Sequence, residues 1–93
     1  MENLRDLQSQ ARNFERSGQH AAALELYGRM VEEPDGDRAG RIWASIARLQ
    51  LAMGREREAA DSYATAAERY HAEGLVNLAL SCCQHSLRSD ESH

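Results

Sequence analysis

The chain of 93 residues is 42% hydrophobic and 28% charged and has a single proline, a balance typical of one globular, helix-rich domain and not of a disordered or fibrous chain. Its formal net charge of -4 disfavours nucleic-acid binding, which needs a positive field opposite the phosphates. All 11 basic residues are arginine, so each positive charge is permanent and able to pair with a carboxylate through two hydrogen bonds.

Several features favour a cytoplasmic location. The longest apolar runs fall far below the roughly 18 residues that span a bilayer. The segment from Met1 to Asp6 lacks the basic start and apolar core of a secretory signal. Cys82 and Cys83 are adjacent in a helical context, where a disulfide between them would be strained, so they suit a reducing compartment. We therefore expect a cytoplasmic protein that does not associate with membranes.

Glycine and proline divide the chain into five segments of helical length. In chain order the breakers are Gly18, the run from Pro34 to Asp37, Gly54 and Gly74. Apolar residues recur at helical spacing within the segments, as in Leu4, Leu7, Ala11 and Phe14 or in Ile42, Ile46, Leu49 and Met53. The predicted helices cover residues 3–17, 20–32, 38–53, 56–72 and 75–88, in a single domain of residues 1–88 followed by a polar tail of residues 89–93.

The connector between the second and third helices is acidic. It runs from Glu32 to Asp37 and lacks the ligand spacing of a calcium loop. We therefore expect a solvated connector in which Asp37 caps the third helix.

The chain also repeats itself with a displacement of 36 residues (54 - 18), a period typical of stacked helix pairs. The pairs related in this way are Gly18 and Gly54, Ala23 and Ala59, Tyr27 and Tyr63, Ala11 and Ala47, and Leu7 and Trp43.

The second copy resembles the tetratricopeptide pattern of Trp, Leu-Gly and Tyr followed by Ala and an aromatic. It has Trp43-x-x-Ile46-Ala47-x-x-Gln50, then Gly54, then Ala59-x-x-x-Tyr63, with Gln50 in place of an aromatic. The first copy has Leu7-x-x-Gln10-Ala11-x-x-Phe14, Gly18 and Ala23-x-x-x-Tyr27, and a third copy has Tyr63-x-x-Ala66-Ala67-x-x-Tyr70, Gly74 and Ala79-x-x-x-Cys83.

The resemblance covers nearly all of residues 4 to 88 and implies an all-α fold. That fold is a right-handed α-α superhelix of five antiparallel helices, about two and a half repeats, whose fourth helix serves two pairs. Small residues are expected where helices cross closely, and aromatic residues are expected to fill the spaces between pairs. The small residues are Ala11, Ala23, Ala47, Ala59, Ala67 and Ala79, and the aromatic residues are Phe14, Tyr27, Trp43, Tyr63 and Tyr70.

No catalytic motif is recognisable. The sequence has no Gly-x-Ser-x-Gly elbow, no glycine-rich phosphate loop and no His-Glu-x-x-His pair, so we expect no enzyme and no cofactor. Cys82, Cys83 and His85 are the only cluster of soft metal ligands, and a structural zinc site needs four. We expect no metal, and we interpret Cys83 as a small buried apolar group at the aromatic position after Ala79. His20 and His71 are interpreted as surface or capping residues.

The resemblance implies that the first helix of each pair lines a concave binding face. Five arginines on this face suit an acidic peptide or a C-terminal carboxylate. The same arginines could instead pair with Asp6, Glu2 or Glu56 and only keep the face soluble. The face does not reproduce the Lys and Asn set with which some co-chaperone tetratricopeptide domains clamp a carboxylate. Its predicted residues are Arg5, Gln8, Ser9, Arg12, Arg16, Arg41, Ser45 and Arg48.

These features predict a protein-protein interaction adaptor. The alternative is a small dedicated chaperone that shields an amphipathic helix of a secretion or assembly subunit. The last helix offers a second surface, because its apolar residues wrap most of its circumference. We expect Leu80 and Leu87, seven residues apart, to form the seam of a homodimer or of a second contact.

Overall fold

The computed structural model describes residues 4–31 and 39–91, and this part of the chain forms five α-helices. The helices are α1 (Leu4–Arg16), α2 (His20–Val31), α3 (Ala39–Ala52), α4 (Glu56–Ala72) and α5 (Val76–Glu91). The predicted all-α class and all five predicted helices are confirmed. Helix α5 continues to Glu91 where the sequence predicted an end at residue 88, because no glycine or proline follows Leu87 to stop it. The acidic connector and the predicted cap at Asp37 lie outside the described residues.

The same turn geometry recurs after α1, α3 and α4. Each turn has a glycine with positive φ, 79° at Gly18, 78° at Gly54 and 80° at Gly74, a conformation that side-chain-bearing residues rarely adopt. The N–H that follows each glycine donates at 2.8 Å to the carbonyl five residues earlier, as in the Schellman motif that ends many helices. The accepting carbonyls belong to Phe14, Gln50 and Tyr70, which occupy one position of the repeat predicted from the sequence.

Extensive packing runs between consecutive helices, from α1 on α2 through to α4 on α5. Two clusters of buried side chains result. The first joins α1, α2 and α3, and the second joins α3, α4 and α5. Trp43 on α3 packs against both clusters, so its indole connects the two halves of the core.

The predicted small residues are all buried, with exposures of 0% for Ala11, Ala23, Ala47 and Ala59, 6% for Ala67 and 7% for Ala79. This agrees with close helix packing at these positions. The aromatic residues divide into two groups: Tyr27, Tyr63 and Tyr70 are buried, whereas Phe14 and Trp43 are only partly buried. Trp43 lies where the two clusters meet, and a ring of this size seldom loses all of its contact with solvent.

Two departures from the repeat pattern have a local explanation. Gln50, which stands where an aromatic was expected, accepts a hydrogen bond of 2.6 Å from the hydroxyl of the buried Ser62 and so links α3 to α4. The interpretation of Cys83 as a buried group was wrong, because Cys82 is buried and Cys83 is exposed. Tyr63, at the equivalent position of α4, is covered by α5, and among the described residues no further helix covers Cys83 in the same way.

Candidate functional site

A groove of about 390 Å³ opens between α1 and α3, and four arginines line it. We call it the arginine groove. Its lining residues are Gln8, Arg12, Glu15 and Arg16 from α1, Tyr27 from α2, and Arg41, Ser45 and Arg48 from α3.

Helical spacing brings these side chains to the same groove. Residues four and seven positions apart lie on one side of a helix, and Arg41, Ser45 and Arg48 follow this spacing on α3. On α1, Gln8 and Arg12 have the same spacing of four. The adjoining sides of both helices, about 100° around each axis from Gln8 and Ser45, carry the first core cluster through Leu7 and Ile46 among others. This packing holds the two polar faces beside each other.

The floor of the arginine groove is polar and buried. Tyr27 is 3% exposed and Ser45 is 8% exposed. Burial, with a further contribution from the neighbouring Glu15 carboxylate, raises the pKa of Tyr27 to about 12, so its phenol is neutral at physiological pH. The floor of the groove is therefore polar without carrying a charge of its own.

Arg48 is held by contacts at the side of the groove. Its Nη2 donates to the Ser45 hydroxyl at 3.1 Å and lies 3.9 Å from Oε2 of Glu15. The carboxylate of Glu15 also lies beside the Tyr27 hydroxyl, whose pKa it helps to raise. Glu15 of α1 and Ser45 of α3 therefore orient the Arg48 side chain, which is still 61% exposed.

The remaining arginines of the groove have open hydrogen-bonding capacity. Arg12, Arg16 and Arg41 are exposed, and none of them pairs with a carboxylate within residues 4–31 and 39–91. The lining thus has four positive groups and one negative group in a chain whose formal net charge is -4. The arginine groove is therefore locally positive although the net charge of the chain is negative.

Most of this lining was predicted from the sequence. Six of the eight predicted binding residues meet in the groove. Arg5 and Ser9 are exposed on α1 and do not line it. Glu15 and Tyr27 also line the groove and were not predicted from the sequence. Glu15 lies three residues after Arg12 on the same side of α1, a spacing that could have indicated it, whereas Tyr27 was assigned wholly to the core.

The last helix presents a separate apolar surface. Leu80 and Leu87, predicted as a seam, are 57% and 64% exposed. Leu75, Val76 and Leu78 are also exposed, at 44%, 53% and 46%.

The other candidate residues lie apart from the arginine groove. His71 is exposed, and His20 is partly buried, with an Nδ1 atom that has no hydrogen-bond partner in the described structure. His85 stacks on Tyr63 with ring centroids 5.0 Å apart. Among the described residues, no three His, Cys, Asp or Glu side chains are grouped so that they could hold a metal ion.

Within the described ranges, no helix combines the length and apolar character needed to cross a bilayer. Comparisons of the chain with protein-family models, with curated proteins and with solved structures found no match.

Proposed function

We propose that this chain is a tetratricopeptide-like interaction module, a short right-handed superhelix that binds an acidic peptide of a partner protein in the arginine groove. The observation that carries the proposal is the meeting of four arginines from α1 and α3 in one groove. No enzymatic role is part of this proposal.

The repeated local geometry supports the fold assignment. Three turns share a left-handed glycine and the same 2.8 Å hydrogen bond, and the alanines predicted at helix crossings are buried. In such a superhelix the first helix of each pair lines the concave side, and the groove-lining arginines belong to α1 and α3, the first helices of two successive pairs.

The chemistry of the lining supports an acidic ligand. Guanidinium groups bind carboxylates through paired hydrogen bonds, and Arg12, Arg16 and Arg41 are free of carboxylate partners among the described residues. The amide of Gln8 adds a neutral hydrogen-bonding group. An apolar helix, the ligand of the chaperone alternative, would bury these charges without partners at a large cost in free energy.

Selection of peptides from a random display library on the immobilised protein tests the proposal. We expect the selected sequences to be enriched in Asp and Glu. We also expect their affinity to fall as salt rises, because screening limits exposed charges to a reach of about 8 Å at physiological ionic strength.

A charge-reversed variant locates the site. The double change Arg12→Glu, Arg41→Glu removes no ion pair within the described structure, so helicity by circular dichroism should persist while peptide binding is lost. Arg57→Glu, Arg69→Glu is the matched control, since it alters the net charge equally on exposed positions of α4 outside the groove. Selected peptides without acidic bias, or equal binding loss in both variants, would contradict the proposal.

A further inference from the structure

The orientation of α5 leaves an exposed apolar stripe along one flank of its contact with α4. Contacts with α4 fix this orientation: Ala79 and Cys82 are buried, and the Ser86 hydroxyl donates at 2.8 Å to the carbonyl of Ala60. At 100° per residue, the side centred on Val76, Leu80, Cys83 and Leu87 is turned about 100° from this buried side. We call these four residues the outer stripe.

The spacing within the outer stripe is that of paired helices. Its members follow one another at intervals of four, three and four residues, as the a and d positions of a coiled coil do. All four are exposed, Val76 at 53%, Leu80 at 57% and Leu87 at 64%. A row of this kind packs side chains between those of a facing helix, so the partner that it fits is another α-helix with the same repeat.

We propose that the outer stripe pairs with the outer stripe of a second copy of this chain, with the two α5 helices antiparallel. A two-fold axis at the middle of the stripe places Val76 opposite the partner's Leu87 and Leu80 opposite the partner's Cys83. Each layer then combines a larger with a smaller side chain, whereas a parallel pairing would set Leu against Leu and Cys against Cys. The antiparallel arrangement also opposes the two helix dipoles.

The polar residues beside the outer stripe permit self-association. Asn77, Ser81 and Gln84 are exposed, lie on the solvent side of α5 and carry no charge. Two copies therefore meet without like charges facing each other at these positions, which would disfavour pairing of identical surfaces.

The size of the contact sets its strength. Four side chains from each copy form a small interface, in the class below about 1,200 Å² of total buried area that contains weak and transient complexes. We therefore expect a dissociation constant of micromolar order, with dimers that form and separate readily. The dimer is independent of the proposed function, because α5 contributes no residue to the arginine groove.

Sedimentation velocity of the chain measures this equilibrium. The protein concentration should reach about 200 µM, which is well above a micromolar dissociation constant. Wild type should pass from monomer to dimer, and Leu80→Glu, Leu87→Glu should stay monomeric at every concentration. Leu78→Glu, Leu75→Glu is the matched control, because these leucines are 46% and 44% exposed and lie off the stripe, with Leu78 about 160° from Leu80 around the helix. The dissociation constant of the control dimer should lie within about threefold of the wild-type value, which corresponds to a difference of less than about 1 kcal/mol in the free energy of association.

Cysteine cross-linking tests the orientation. Val76→Cys and Leu87→Cys chains, both also carrying Cys83→Ser, should form a disulfide-linked dimer when mixed and oxidised, and much less of it when oxidised alone. Cross-linking of each chain alone would show a parallel pair and overturn the antiparallel arrangement. A wild type that stays monomeric, or a control that loses the dimer as fully as the stripe variant, would overturn the proposal and leave the outer stripe as a surface for a foreign amphipathic helix.

Discussion

Gly40 on α3 lies directly against the aromatic ring of Tyr70 on α4. A Cβ atom at position 40 would stand 2.7 Å from Cδ1 of Tyr70 and 3.0 Å from its Cε1 and Cγ, well inside van der Waals contact. Both residues are buried, and Cγ is the base of the ring, so the ring has little freedom to move aside. The approach of the two helices at this point therefore depends on the missing side chain of Gly40.

Gly40→Ala should lower the free energy of unfolding by about 1–3 kcal/mol through overpacking, even though alanine is the better helix former. Gly28→Ala is the matched control within α2, because a Cβ there meets no atom within 4 Å. That change should stabilise the chain by roughly 0.5–1 kcal/mol. Chemical denaturation of both variants checks the pair, and effects of the same sign would show that the contact with Tyr70 does not limit position 40.

Trp43→Ala should cost about 3 kcal/mol, the lower end of the range for losing a large aromatic, because the indole is only partly buried. Since Trp43 packs on both core clusters, amide hydrogen exchange should quicken in α2 and in α4 alike. Trp43→Phe, which keeps an aromatic ring, should show a smaller effect. Faster exchange in only one of α2 and α4 would mean that Trp43 stabilises a single core cluster.

The hydrogen bond between Ser62 and Gln50 should appear as an energetic coupling. Gln50→Leu leaves the buried Ser62 hydroxyl without this partner, and Ser62→Ala does the same to the Gln50 carbonyl. The double variant replaces both groups with apolar ones. Its loss in the free energy of unfolding should be smaller, by about 1 kcal/mol, than the sum of the losses in the two single variants. Strict additivity in denaturation experiments would argue against the bond.

Stability should fall in alkaline solution, with a contribution from Tyr27. Its folded-state pKa of about 12 exceeds the ordinary value of 10.0, so the unfolded chain loses the phenolic proton first as pH rises. The resulting stabilisation is complete below pH 10.0 and is lost progressively toward pH 12. Burial also raises the pKa of Tyr63 and of Tyr70. Urea denaturation across this range should give a shallower decline for Tyr27→Phe than for wild type, and identical slopes would refute the assignment.

The secondary structure, and the side of its helix on which each groove-lining residue lies, were predictable because both depend on short-range spacing. Gly18, Gly54 and Gly74 end helices through their own backbone freedom, wherever the helices pack. Arg41 and Arg48 share a side of α3 through helical geometry alone. The burial of the repeated alanines was expected from the resemblance to the tetratricopeptide pattern.

Other features required the distances between helices, which residues near in sequence do not set. The rotation of α5 about its axis, set by packing on α4, buries Cys82 and exposes Cys83, whereas the repeat pattern alone had placed Cys83 inside. The sequence alone determined the five helices and the charges that each side carries. The tertiary packing alone decided that Glu15 meets Arg48 and that Gly40 meets Tyr70, because contacts between helices depend on how whole helices approach and rotate.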